Sequence, residues 1–154
     1  MSETQPQQPT FQIEKIYVKD LSLEIPNAPQ VFMQTGSAKV EVQVNNESVQ
    51  FADALYEVTV SVTVTAKAGE KTMFLAEAVQ AGIFTVRGVP QQDLGPLLGI
   101  GCPTILYPYV REAISDLITR GGFPPVLLAP VSFEAIYAQR VQQAGGEAKI
   151  EIAH

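Results

Sequence analysis

Tyr56-Glu57-Val58-Thr59-Val60-Ser61-Val62-Thr63-Val64-Thr65-Ala66-Lys67 alternates apolar and polar residues without a fault. A period of two sends the Tyr/Val/Ala set to one face of a strand and the Glu/Thr/Ser/Lys set to the other. β-branched Val and Thr favour the extended backbone, where their stiff side chains pack well. Ala68-Gly69-Glu70 reads as a tight turn with Gly69 free to take positive φ. A second run, Thr72-Met73-Phe74-Leu75-Ala76-Glu77-Ala78-Val79, follows. Residues 55–86 therefore predict a long antiparallel hairpin with one buried and one wetted face. In the second arm Met73 and Leu75 oppose Phe74 and Ala76, so apolar groups stand on both sides.

Working back from the hairpin, Ala38, Val40, Val42 and Val44 alternate with Lys39, Glu41, Gln43 and Asn45, a strand that Asn45-Asn46-Glu47 is expected to end. Phe11–Ile25 reads as a first strand whose apolar residues change phase. Phe11 and Ile13 share one parity, Ile16 and Val18 the other, and Leu21, Leu23 and Ile25 return to the first. A bulge near Glu14–Lys19 accounts for the change. Asp20, Ser22 and Glu24 then form a short acidic stripe opposite Leu21 and Leu23. Pro26-Asn27-Ala28-Pro29 stops this strand. Val31-Phe32-Met33 before Gln34-Thr35-Gly36 is apolar for a connection and reads either as a loop folded over the sheet or as an adaptable apolar lip.

Working forward, Ile83-Phe84-Thr85-Val86 is expected to extend the last strand past a bulge at Gly82. Gly88, Pro90, Gly95, Pro96, Gly99 and Gly101 punctuate the next segment; short helical turns near Gln91–Leu98 fit there, a long element does not. Pro103 opens a helix. Ile105, Leu106, Tyr109, Val110, Ala113, Ile114, Leu117 and Ile118 make its broad apolar face. Pro108 falls in its first turns, and Gly121-Gly122 ends it. Phe123–Pro130 is an apolar, proline-stiffened connector. Ser132 caps a last helix bearing Phe133, Ile136, Tyr137, Val141 and Ala144, ended by Gly145-Gly146. Strands first and helices after define an α+β class with antiparallel pairing: a four-stranded antiparallel sheet with two C-terminal helices packed on one face. Residues 11–144 are expected to form one domain between a disordered tail, 1–10, and a flexible tail, 145–154.

The totals exclude several functions. The chain has 154 residues, 46% of them hydrophobic, with no apolar run long enough to span a bilayer and no secretory signal in its polar, Pro/Gln-rich start. One cysteine, Cys102, rules out an internal disulfide and fits a reducing, cytoplasmic setting. The net charge of −6 argues against binding nucleic acid. Residues 1–80 hold 10 acids and 5 bases, so the sheet-forming half carries most of the negative field and suits a basic partner.

Catalytic groups are scarce. The only histidine is the last residue, His154, so no embedded imidazole serves as base or metal ligand. Cys102 has no histidine near it and reads as a small core residue. Gly99-Ile100-Gly101 lacks the Gly-Lys-Ser/Thr of a phosphate loop. Asp20, Glu24 and Glu77 could do acid–base work but read more simply as a solvated sheet face. No catalytic, cofactor or metal site is expected. Apolar surface is in surplus: the helix face, the connector and the Val31–Met33 loop exceed what one sheet covers, which signals a subunit interface or a groove.

Phe11-Gln12-Ile13 with Ile16-Tyr17 and Lys19-Asp20, Pro26-Asn27-Ala28-Pro29, and Tyr56-Glu57-Val58 with Val62–Ala66 resemble the SecB family of export chaperones. So do Gly82-Ile83-Phe84, Leu98-Gly99, Cys102-Pro103, Leu106-Tyr107-Pro108-Tyr109 with Arg111-Glu112, and Leu128–Val131. The resemblance runs from Phe11 to Gln143. It implies a cytoplasmic, ATP-independent chaperone that holds unfolded secretory preproteins and passes them to the SecA motor ATPase. It implies a homotetramer, a dimer of dimers with helices between two eight-stranded sheets. The SecA-contacting positions correspond to Asp20, Glu24, Leu75 and Glu77, which would meet SecA's zinc-bearing C-terminal tail; the zinc belongs to that partner. The preprotein groove maps to Val31, Phe32, Val40, Val42, Phe123, Leu127, Phe133 and Tyr137. Near Gly36 the chain lacks a large aromatic found in some relatives, which implies a shallower groove wall. Two rival readings are a small-ligand carrier or enzyme with its pocket between sheet and helices, and a purely structural oligomer.

Overall fold

The structure is a computed structural model, and it describes residues 8–34 and 36–146. Residues 1–7 and 147–154, which hold most of the two expected tails, lie outside the described residues, as does Thr35. Four antiparallel strands, β1 (Thr10–Glu24), β2 (Lys39–Ala52), β3 (Leu55–Ala68) and β4 (Lys71–Arg87), form one sheet in the order β1-β4-β3-β2. The faultless alternation becomes the centre of the molecule. Val58, Val60, Val62, Val64 and Ala66 are all fully buried, and from β4 Phe74, Ala76, Ala78 and Phe84 join them. The β3–β4 turn is Gly69-Glu70, with Gly69 at φ 62° as a tight reversal requires.

The phase change in β1 resolves into two bulges, at Glu14 and at Lys19, the residues skipped by the pairing with β4. Together they keep Phe11, Ile13, Ile16, Val18, Leu21 and Leu23 on the inner side, opposite the inner residues of β4, despite their changing parity. Three expectations are corrected. Asn45-Asn46-Glu47 does not end β2: these residues pair with Ser61, Val60 and Thr59, because the unbroken β3 offers partners along its whole length. The β2–β3 turn comes later, at Asp53-Ala54, with Ala54 at φ 59°. Gly82 is not a bulge either. It pairs in register with both Ile16 and Val58, and it is small because Phe84 and Leu106 close over it; a Cβ there would lie 2.8 Å from the Phe84 ring.

The third correction concerns the glycine- and proline-rich segment. It is helical from Gln91 onward: α1 (Gln91–Pro96), a π-helical turn (Leu97–Gly101) and α2 (Cys102–Arg120) run on without a break. Pro96 lies inside this helical path and Pro103 in the first turn of α2, on either side of the wide π-helical turn, where prolines remove N–H donors that a regular helix would use. Pro108 lies inside α2. α2 lies on β3 and β4 and buries Cys102, Leu106, Val110, Ile114 and Ile118. It ends at Gly122, φ 90°, where Gly122 N–H donates to the Thr119 carbonyl and Phe123 N–H to that of Ile118. The connector is pinned back on α2 by the Tyr107 hydroxyl, which donates to the Ala129 carbonyl. Ser132 Oγ then accepts from Ala135 N–H at 3.2 Å and starts α3 (Phe133–Gly146). α3 packs on the π-helical turn, with the Tyr137 ring against Gly95 and Gly99, and Arg140 donates to the Asn46 carbonyl of β2 at 3.1 Å.

Candidate functional site

The sheet presents two chemically opposed faces. On the outer face, directly opposed residues share a side. Asp20 lies opposite Val79, Ser22 opposite Glu77, and Glu24 opposite Leu75. The four positions inferred for SecA contact, Asp20, Glu24, Leu75 and Glu77, are thus brought together on neighbouring strands, with Leu75 37% exposed among carboxylates. Across β3 this face continues with the polar side chains Thr59, Ser61, Thr63 and Thr65. Its acidic end follows from the bulge at Lys19: Asp20 would otherwise point inward.

A charged network beside this patch escaped the sequence reading. Glu57 on β3 accepts from Lys19 Nζ at 2.7 Å and from the Tyr17 hydroxyl, both reaching over from β1. Between them β4 presents Ala81, a side chain small enough for Tyr17 to cross. The bonds from Lys19 and Tyr17 hold the Glu57 carboxyl below its usual range, against some opposing burial. Burial, then the bond to the Glu57 carboxylate, pushes Tyr17 up to about 12. The only sequence signal was Lys19 standing at the phase change. Cys102 is fully buried and burial pushes its thiol up to about 12, which makes it inert. Burial likewise raises the Tyr107 hydroxyl.

On the inner face the inferred groove residues divide. Val31, Phe123 and Phe133 are buried within the chain, at 3%, 7% and 2% exposure. Phe32, Val40, Val42 and Leu127 are exposed, Leu127 at 81%, and Tyr137 is half-buried against α1 and the π-helical turn. Phe123 stacks on Phe32 at 5.1 Å and meets Phe74 at 4.7 Å with the rings tilted by 42°, so Phe32 is the outer end of a three-ring cluster. Val40 pairs with Ala66, which pairs with Phe74; Val42 pairs with Val64 in the next row. Phe32, Phe123, Val40 and Val42 thereby gather at the end of the sheet where Phe74 stands. Phe133 packs edge-on against Tyr107 and lies with Tyr137 at the start of α3, while Leu127 lies on the other flank of α2 beside Pro108 and Glu112. Met33, 83% exposed, extends the lip. Phe11, Ile13, Val18 and Leu21 form a further exposed apolar row on the inner side of edge strand β1, and Val49 and Phe51 are exposed near the β2–β3 turn. Neither set was singled out from sequence, because alternation assigns a face but not whether something covers it.

A sheet whose outer face is acidic at one end and whose apolar inner face is incompletely covered is the frame of a binding protein. Among the described residues no group of His, Cys, Asp or Glu is arranged to hold a metal ion, and no helix is long and apolar enough to cross a membrane. The family profile of Preprotein translocase subunit SecB matches residues 4–144. The Protein-export protein SecB of Chromobacterium violaceum is 58% identical over 145 residues, covering 94% of this chain and 97% of its own. That of Dechloromonas aromatica is 52% identical over 149 residues, covering 96% and 98%. Among solved structures, the Mycobacterium tuberculosis Rv1957 SecB-like chaperone, in complex with a ChAD peptide from the Rv1956 HigA1 antitoxin, superposes with a TM-score of 0.65 at 19% identity. It covers 79% of this chain and 91% of that one, and it shares the fold. The chain belongs to the SecB family of protein-export chaperones.

Proposed function

We propose that this chaperone works without ATP in the cytoplasm, holding unfolded preproteins on its apolar inner surface and delivering them to SecA through its acidic outer face. The observation that carries the reading is the separation of the two surfaces: exposed Phe32, Val40, Val42 and Leu127 on one side, and Asp20, Glu24 and Glu77 around Leu75 on the other. An unfolded client offers apolar side chains, which a long greasy surface accepts without reading sequence. Ordering the client offsets much of that gain, so each contact is weak and release stays easy. The peptide in the Rv1957 complex supports client binding by this fold.

The acidic face suits a basic partner, here the zinc-bearing C-terminal tail of SecA. The exposed apolar row of Phe11, Ile13, Val18 and Leu21 on edge strand β1 suits sister copies, giving a homotetramer built as a dimer of dimers. Several groove copies on one assembly then add avidity. The test is light scattering from a denatured preprotein diluted with and without this protein, in the absence of nucleotide. Suppressed aggregation at one tetramer per client is expected; aggregation that proceeds unchanged defeats the reading. In parallel, Asp20, Glu24 and Glu77 changed together to Asn and Gln should weaken SecA binding and flatten its salt dependence while client holding survives.

A further inference from the structure

We propose that Tyr17, Lys19 and Glu57 form a clamp that fixes the phase of β1 and so turns Asp20, Ser22 and Glu24 outward, making them positioning residues for the partner-binding face. The inference rests on the reading of that face given above. In unbroken alternation from Tyr17, residues 19, 21 and 23 would face out, and Asp20, Ser22 and Glu24 would face in. The pairing shows the opposite: Val18 lies opposite Gln80, Asp20 opposite Val79, and Lys19 has no partner. Lys19 and Asp20 therefore both leave the strand on the outer side.

The extra residue is tied down rather than loose. Lys19 Nζ sits 2.7 Å from Glu57 Oε1, and the Tyr17 hydroxyl donates to Glu57 Oε2. One carboxylate thus holds the residue at the bulge and the residue two before it. The Lys19 side chain is half-exposed but that of Glu57 is only 15% exposed, so the pair is better shielded than a free surface bridge. The other bulge is secured similarly, with Glu14 accepting from the Thr85 hydroxyl at 2.8 Å. The side chains facing Glu57 on neighbouring strands are Val49 and Ile83, which offer no competing charge.

The clamp predicts an effect opposite in sign to that of the simple field. Lys19 is a cation beside Asp20, so removing its charge should by Coulomb attraction alone tighten binding of a basic ligand. If Lys19 positions the stripe, Lys19→Met weakens binding instead. The probe is the zinc-loaded C-terminal tail peptide of SecA, titrated calorimetrically into the full-length protein. Lys19→Met and the charge-neutral Tyr17→Phe should each weaken binding about fivefold, and Lys19→Arg should restore it to within about twofold. Unchanged or tighter binding by Lys19→Met overturns the clamp, provided Asp20→Asn weakens binding. A partner-independent readout separates the two ideas: labelling of Ser22→Cys by a thiol reagent, against which buried Cys102 is silent. Labelling that slows severalfold when Lys19→Met is added supports the clamp even if Asp20→Asn leaves peptide binding untouched, a result that overturns the partner assignment alone. Equal labelling rates overturn the clamp.

Discussion

Glu57 shows how much one side chain can decide. It occupies a polar position in the most regular strand, yet it accepts two bonds from β1, two strands away. Because those bonds hold its carboxyl below the ordinary range, its contribution to stability is present above the unfolded pKa and is lost as pH falls through the lower folded value. Tyr17 runs the other way: its hydroxyl is raised, so its share is present below the unfolded pKa of 10 and lost as pH climbs toward about 12. Glu57→Gln should therefore destabilise the protein at neutral pH by about 1 kcal/mol, lowering the melting temperature by a few degrees. The gap from the parent protein should close once the pH is below the carboxylate range. Thermal melts of both proteins at neutral and acid pH test this, and a gap of constant size would show that the ion pair is not its source.

At the scale of elements, legibility in the sequence tracked how local the cause was. The β3–β4 hairpin, the Gly122 stop and the Ser132 cap were readable because alternation and turn chemistry act within a few residues. The length of β2 was not, because Asn45-Asn46-Glu47 stays extended through pairing with β3. The helical path through Gly95, Pro96, Gly99 and Gly101 was hidden for a similar reason: Tyr137, from far along the chain, needs Gly95 and Gly99 to be small. The acidic stripe was visible in Asp20, Ser22 and Glu24, but the clamp holding it depends on a residue nearly forty positions away. The α2 terminus gives this scale its prediction. Gly122 takes φ 90° and a Cβ there would lie 3.2 Å from the Phe32 ring, so backbone strain and crowding add. Gly122→Ala should cost about 1–2 kcal/mol and loosen the Phe32–Phe123 stack at the mouth of the groove. Urea unfolding with a parallel client titration measures both, and an unchanged midpoint would contradict the assigned role of the cap.

For the whole molecule, the decisive quantity is apolar surface left uncovered after α2 has been laid on β3 and β4. Apart from half-buried Tyr137, the groove residues inferred together from resemblance are, in the folded chain, two populations. Val31, Phe123 and Phe133 have given their surface to the fold; Phe32, Val40, Val42 and Leu127 have it still to give. Truncating the first set to Ala opens cavities and should cost about 2–4 kcal/mol per site, with client binding lost only as the fold is lost. The second set is still 43–81% exposed, so changing it to Ser removes less buried area and should cost clearly less per site than truncating the first set. Their value to the fold is small for the same reason that their value to a client is large. With about 25 cal/mol per Å² at stake over four side chains, the quadruple variant should bind an unfolded preprotein at least about tenfold more weakly. Client affinity by fluorescence anisotropy, set beside thermal melts, separates the populations. If the exposed set proves as costly to stability as the buried set, those side chains are already covered in the assembled protein, and clients must be held elsewhere.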